Sequence, residues 1–177
     1  MFIMYLRSAL MSALLLGSSA AMAAVDNASL PEAVQAPAGQ VMKLWTLGEG
    51  EITYACREKA DEAGAYAWVF VAPVADLTDA QGEKVGTYYN GPTWEALDGS
   101  IVTGKQLAVA PAGEGNIPLQ LVEAMSDSES GLFSDITYIQ RLNTKGGVAP
   151  AMSCDASSLG QEQVVTYAAD YVFYIAE

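Results

Sequence analysis

Apolar and polar side chains alternate along four segments of this chain, and a two-residue period is typical of β-strands with one buried face. The longest run covers residues 163–176, where one face carries Tyr167, Ala169, Tyr171, Phe173 and Ile175. Shorter runs of the same kind occupy residues 51–57, 65–72 and 135–144. Because these segments are rich in aromatic and β-branched residues, the pattern predicts half-buried strands in an antiparallel sheet.

The connecting segments favour hairpins. Turn-forming residues cluster at positions 79–82, 90–92, 98–100 and 145–147, and Gly, Asn, Asp and Pro supply the backbone conformations that tight turns need. Residues 117–125 are the one candidate for a short helix, with Pro118 in the first turn, and an extended conformation is the alternative there. The sequence therefore predicts an all-β, single-domain antiparallel β-sandwich or β-barrel with at most one short helix.

The first 39 residues lie outside that pattern. Arg7, an apolar run over residues 9–16 and the small residues Ala21-Met22-Ala23 have the order of a secretory signal peptide over residues 1–23. The expected localisation is therefore periplasmic or secreted, and a signal without Cys offers no site for a lipid anchor. Residues 24–39, rich in Ala and Pro, are predicted to be a flexible N-terminal arm, and residues 40–177 to be a single β-rich domain.

Charge narrows the classes of partner. The chain has 8 basic and 21 acidic side chains, a net charge of −13 at pH 7. An acidic surface repels phosphate backbones and anionic lipid head groups, so we expect no nucleic-acid partner and no membrane partner after signal removal. The partners that remain are a small polar ligand or a protein of the cell envelope.

The chain contains no His, which excludes Ser-His-Asp and Cys-His catalytic arrangements and every His-containing metal site. No G-x-G-x-x-G or Walker pattern occurs either, so a nucleotide cofactor is not expected. We therefore expect no cofactor and no metal, and a protein that is more readily a binding or interaction domain than an enzyme.

Two cysteines, Cys56 and Cys154, are too distant in sequence for a C-x-x-C redox pair, and two thiols make a poor structural zinc site. In an oxidising compartment an even pair usually forms one disulfide bond, with a reactive thiol as the alternative. Closing a loop of roughly 100 residues stabilises a fold by about 4 to 5 kcal/mol in the chain-entropy model.

The segment of residues 85–100 is densest in unusual side chains. Trp94 could stack on a sugar ring, with Glu95 and Asp98 binding hydroxyl groups or a cation and with Tyr88 and Tyr89 beside them. The structural alternative makes Trp94 a core residue and Asp98 the cap of the Asp-Gly-Ser turn, while Glu95 pairs with Arg141 or a backbone amide. As a glycosidase pair the two carboxylates are poorly placed, because such groups usually come from different elements.

Arg141 is one of few cations in the chain and lies in an apolar strand. An Arg in such a place is usually paired with a carboxylate, and the candidates are Glu95, Asp98 and Asp170. Binding of an anion is the alternative role for this side chain.

Several motifs follow one another in an order that resembles a known family. They are Tyr54-x-Cys56, Gly91-Pro92-Thr93-Trp94-Glu95 with Asp98-Gly99-Ser100, Gln140-Arg141, Thr144-x-Gly146-Gly147-x-Ala149-Pro150 with Cys154, and Tyr167-x-Ala169-Asp170-Tyr171-x-Phe173-Tyr174. Together they resemble the domain-of-unknown-function family 3455 (DUF3455) of secreted bacterial and fungal proteins, from about Gly39 to the end of the chain. The resemblance implies one domain and a Cys56–Cys154 bridge, and it supplies no function.

Three hypotheses for function come from different classes. The first is a binding domain for a small polar or carbohydrate-like ligand near the Gly-Pro-Thr-Trp-Glu segment, with Trp94 partly exposed in a concave site. The second is a structural or envelope-interaction domain without a small-molecule site. The third is a His-free hydrolase that uses Glu95 and Asp98. We favour the first.

Overall fold

A computed structural model describes residues 25–177 of the chain as a closed antiparallel barrel of eight strands. The predicted signal peptide lies outside the described residues. The strands are β1 Gln40–Glu58, β2 Tyr66–Thr78, β3 Lys84–Tyr89, β4 Thr93–Ala96, β5 Ile101–Ala110, β6 Leu119–Ser126, β7 Tyr138–Gly146 and β8 Glu162–Ala176. Each strand pairs with its sequence neighbour, and β1 pairs with β8 to close the barrel. The all-β prediction is confirmed, and of its two architectures the structure is the barrel.

The core occupies the inside of the barrel. The alternation read from β8 is confirmed, because Tyr167, Ala169, Tyr171 and Phe173 are all buried in the main core cluster. Where the Tyr171 ring of β8 lies over the adjacent strand β1, that strand needs a residue without a side chain. A Cβ added at Gly48 of β1 would lie 2.6 Å from the Tyr171 ring, so this close approach requires glycine.

Of the two conformations left open for residues 117–125, the structure shows the extended one, because most of this segment forms strand β6. Val122 faces the barrel interior, while Leu121 on the opposite face is buried against the N-terminal residues outside the barrel. Burial on both faces produces a run of apolar residues that sequence periodicity does not distinguish from a helix. The turn predicted at residues 145–147 is also not where it was expected, because the structure has Lys145 and Gly146 as the last residues of strand β7.

Residues 25–36 form what we call the N-terminal strap, which packs on the outer surface of the barrel. Composition predicted a flexible arm here; the structure instead shows two 3₁₀ turns, Asn27–Ser29 and Glu32–Val34, with Val34 fully buried. The strap also covers Gln140, whose amide nitrogen donates hydrogen bonds to Asn27 Oδ1 (2.9 Å) and to the Val34 carbonyl oxygen (2.7 Å). The arm is ordered because the outer faces of β5 to β8 are apolar and need a cover.

The predicted disulfide bond is confirmed, with a distance of 2.01 Å between the sulfur atoms of Cys56 and Cys154. It ties the end of β1 to the long connection between β7 and β8. None of the helical segments among residues 25–177 has the length and apolar character needed to cross a membrane.

Candidate functional site

Trp94 does not offer a face to a ligand from solvent, since only 1% of its surface is exposed. Its ring packs inside the barrel against Tyr88, Tyr171 and Phe173, at centroid distances of 4.9, 5.8 and 6.2 Å. The hypothesis of a partly exposed stacking platform is therefore wrong, and the core position considered as its alternative is what the structure shows. Strand alternation explains this, because Trp94 occupies an inward position of β4.

Three other candidate residues are occupied by local contacts. The Tyr89 hydroxyl donates a 2.7 Å hydrogen bond to Glu95 Oε2, which raises the pKa of Tyr89. Asp98 accepts hydrogen bonds from the Ser100 hydroxyl (2.6 Å), the Ser100 backbone and the Leu132 backbone, and these lower its pKa. Asp98 therefore caps its turn as the structural alternative proposed, and this arrangement gives no support to a hydrolytic pair formed with Glu95.

The barrel interior contains a cavity of about 340 Å³ at the end where the β3–β4 turn lies. Its lining changes from buried residues, such as Pro73 and Tyr88, to exposed ones, such as Phe70 and Gly91. The cavity therefore opens to solvent at the rim. The residues around it are Ile52, Tyr54, Phe70, Pro73, Tyr88, Gly91, Pro92, Gln106, Ile117, Gln120 and Arg141.

The shortness of the β3–β4 hairpin creates this opening. β2 pairs with β3 only from Val74 onward, and β5 pairs with β4 only as far as Thr103. Residues 66–73 of β2 and residues 104–110 of β5 therefore have no strand on that side. The two unpaired edges flank a cleft above the turn, and Phe70 and Gln106 lie on its two sides.

Arg141 lies in the cavity wall without a carboxylate partner. It is in register with Gln120 on β6 and with Tyr171 on β8, so all three side chains point to the same, inner face. Its Nε and Nη2 atoms donate hydrogen bonds to the Pro118 carbonyl oxygen at 3.2 and 2.9 Å. The two ion pairs in the part of the chain that the structure describes, Lys59–Glu62 and Lys84–Asp76, do not include it.

The predicted pairing of Arg141 with Glu95, Asp98 or Asp170 is therefore wrong. Each candidate carboxylate is held by another residue, and Asp170 accepts a 2.6 Å hydrogen bond from Asn143 Nδ2. Leu142 pairs with Asp170 across the sheet, and adjacent residues of a strand point to opposite faces, so Asp170 and Arg141 are on opposite sides of the barrel wall.

The charge of Arg141 acts on the buried tyrosines of the interior. Burial raises the pKa values of Tyr54, Tyr88, Tyr167 and Tyr171, and the positive charge of Arg141 opposes the rise in each case. The phenols therefore remain neutral near pH 7. The cavity lining contains one charged side chain, Arg141, so the lining itself carries a positive charge although the chain as a whole is strongly acidic.

Several polar groups face the cavity beside the guanidinium. Gln120 Nε2 donates a 2.6 Å hydrogen bond to Gln106 Oε1, which leaves the amide nitrogen of Gln106 and the amide oxygen of Gln120 for another partner. The Tyr54 hydroxyl is already used, because it donates to the Gly147 carbonyl oxygen at 2.8 Å. The arrangement can bind a group that accepts hydrogen bonds and carries negative charge.

Of the six candidate binding residues, the structure brings Tyr88 and Arg141 together in the cavity. Trp94 packs beneath Tyr88, while Tyr89, Glu95 and Asp98 are not part of the lining. Sequence reasoning missed Gln106 and Gln120, because an amide at an inward strand position has no distinctive spacing. Within residues 25–177, no group of three or more carboxylate or Cys side chains is placed to hold a metal ion.

A family model described as "Protein of unknown function (DUF3455)" matches residues 37–175. No curated protein and no solved structure matches the chain.

Proposed function

Since the chain belongs to the DUF3455 family, whose description names no activity, we propose a function from the site itself: binding of a small organic anion in the barrel cavity. One observation carries this proposal. Arg141 points into an accessible, mainly apolar cavity and has no carboxylate partner among the described residues. Arg141 is half-buried at this position. A carboxylate can bind such a guanidinium with two parallel hydrogen bonds, and an anion there is favoured by its charge.

The apolar lining defines the rest of the ligand. Ile52, Pro73, Pro92 and Ile117 surround the cavity, and the Phe70 ring stands edge-on to Tyr54 with 6.1 Å between ring centroids. A compact apolar or aromatic body would bury its surface there, at roughly 25 cal/mol per Å². The volume of 340 Å³ is at the small end of ligand sites. The ligand class is therefore a small monocarboxylate or a similar anion.

This proposal revises the expected ligand. A carbohydrate-like ligand was expected to stack on Trp94, which is buried, and the charge of Arg141 favours an anion over a neutral sugar. The proposal retains the Gly-Pro-Thr-Trp-Glu segment as part of the site, because Gly91 and Pro92 line the cavity.

We also propose that the domain works outside the cytoplasm, in the periplasm or the medium. The disulfide bond supports this localisation, because such bonds persist in oxidising compartments.

The test is thermal unfolding of the oxidised mature protein with benzoate, hexanoate, inorganic phosphate, glucose and benzylamine. A ligand at 100 times its Kd stabilises by about 2.7 kcal/mol, which raises the Tm of a domain of this size by roughly 5 to 10 °C. We expect a shift with benzoate or hexanoate and none with glucose or benzylamine.

Variants locate the binding site. Arg141→Gln should remove the shift, while Arg57→Gln, at an exposed position outside the cavity, should retain it. Because Arg141 also holds the Pro118 carbonyl, Tyr88→Phe provides a second variant that removes only a hydroxyl group, and it should weaken binding a few-fold. Absence of a shift with every organic anion, or a full shift in a folded Arg141→Gln protein, would refute the proposal.

A further inference from the structure

Strand β2 has an unpaired edge over part of its length. Residues 66–73 pair with β1 on one side, and β3 begins to pair only at Val74. Every second residue of such an edge directs its backbone N–H and C=O groups away from the sheet. These groups can pair with another strand, as edge strands commonly do in protein association.

The edge lacks the charged side chains that usually prevent association. Residues 66–73 read Tyr-Ala-Trp-Val-Phe-Val-Ala-Pro and contain no charged residue. Val69, Phe70 and Val71 are 38%, 50% and 37% exposed, so three neighbouring apolar side chains contact solvent. A Lys on the edge is the common natural protection, and this segment has none.

We propose that this edge pairs with the same edge of a second copy of the chain, in a two-fold antiparallel dimer. An edge strand is complementary to itself about a two-fold axis, because each free N–H of one copy meets a free C=O of the other. Two copies with a net charge of −13 each repel one another over most of their surface. The uncharged segment 66–73 is a place where they can approach without bringing like charges together.

The register of β2 limits the length of the paired segment. β2 has a bulge beside Val71, since Thr53 pairs with Ala72 while Tyr54 pairs with Phe70. Pro73 offers no N–H, so the regular edge that remains is residues 66–70. Phe70 belongs both to this edge and to the cavity rim, so a partner strand paired with this edge would lie in the cleft.

Sedimentation velocity of the oxidised mature protein over a wide concentration range tests the proposal. We expect a concentration-dependent monomer–dimer equilibrium. A Val69→Lys variant should raise the dimer Kd by at least about tenfold, because it places cationic side chains of the two copies close together on the shared edge.

Two matched controls separate this contact from general stickiness. Met125→Lys exchanges an exposed apolar residue on β6, and Val164→Lys exchanges one on the outer face of β8; these residues are 59% and 54% exposed. Both variants should still dimerise. A wild-type monomer at every concentration, or equal weakening by Val164→Lys, would overturn pairing through the β2 edge. Neither result bears on anion binding, which Arg141→Gln tests separately.

Discussion

Replacement of Trp94 by Ala should destabilise the protein rather than only remove a binding contact. Trp94 is 1% exposed and packs against three aromatic rings. Truncation of a buried Trp to Ala costs about 3 to 5 kcal/mol, and each aromatic pair adds about 0.5 to 1.5 kcal/mol beyond its buried area. We therefore expect a loss near the upper end of that range, or a fall in Tm of roughly 10 to 20 °C.

The assay is urea unfolding of the oxidised protein, followed by far-ultraviolet circular dichroism because the substitution also removes a fluorophore. Trp94→Phe is the matched control. The indole N–H of Trp94 has no hydrogen-bond partner and is buried, and leaving such a group unpaired costs about 1 to 3 kcal/mol. Phe retains a ring without that cost, so this variant should lose much less stability. A loss below about 1 kcal/mol for Trp94→Ala would contradict a core role for this residue.

Two further predictions concern the disulfide bond and the buried phenols. The Cys56–Cys154 bond links residues 98 positions apart, and its reduction should lower the free energy of unfolding by up to about 4 to 5 kcal/mol. Urea unfolding with and without dithiothreitol measures this loss, and an unchanged midpoint would contradict the prediction. Burial raises the pKa values of Tyr167 and Tyr171 above their ordinary value of 10.0, so their contribution to stability is complete below pH 10 and is lost as the pH rises further. In an alkaline titration, the phenolate absorbance of the buried tyrosines should appear together with unfolding. Ionisation of all tyrosines in a protein that is still folded would contradict this prediction.

The sequence by itself determined the fold class and the covalent link. The alternation of Tyr167, Ala169, Tyr171 and Phe173 identified the inner face of β8, because a strand with one buried face has a period of two whatever sheet it joins. Cys56 and Cys154 indicated a disulfide bond because they are the two cysteines of the chain. Both inferences depend on local period or on composition, which are independent of topology.

Tertiary structure decided which residues form the cavity. Arg141, Gln120 and Gln106 lie on β7, β6 and β5, and their side chains meet because of the register between strands. Register depends on turn lengths and bulges summed around the barrel, and a single-residue shift would place Arg141 on the outer face. Sequence reasoning therefore named Arg141 correctly as unusual and assigned it the wrong neighbours.

The order of the N-terminal strap and the exposure of Trp94 were also decided by tertiary structure. Residues 25–36 have no periodicity of their own, and they are ordered because Val34 and Ala36 cover an apolar outer surface of the barrel. Trp94 lies beside turn residues that are typical of exposed loops, yet an inward position on a four-residue strand buries it. Burial is a property of what packs against a residue, and the residues that pack against these two segments are distant in sequence.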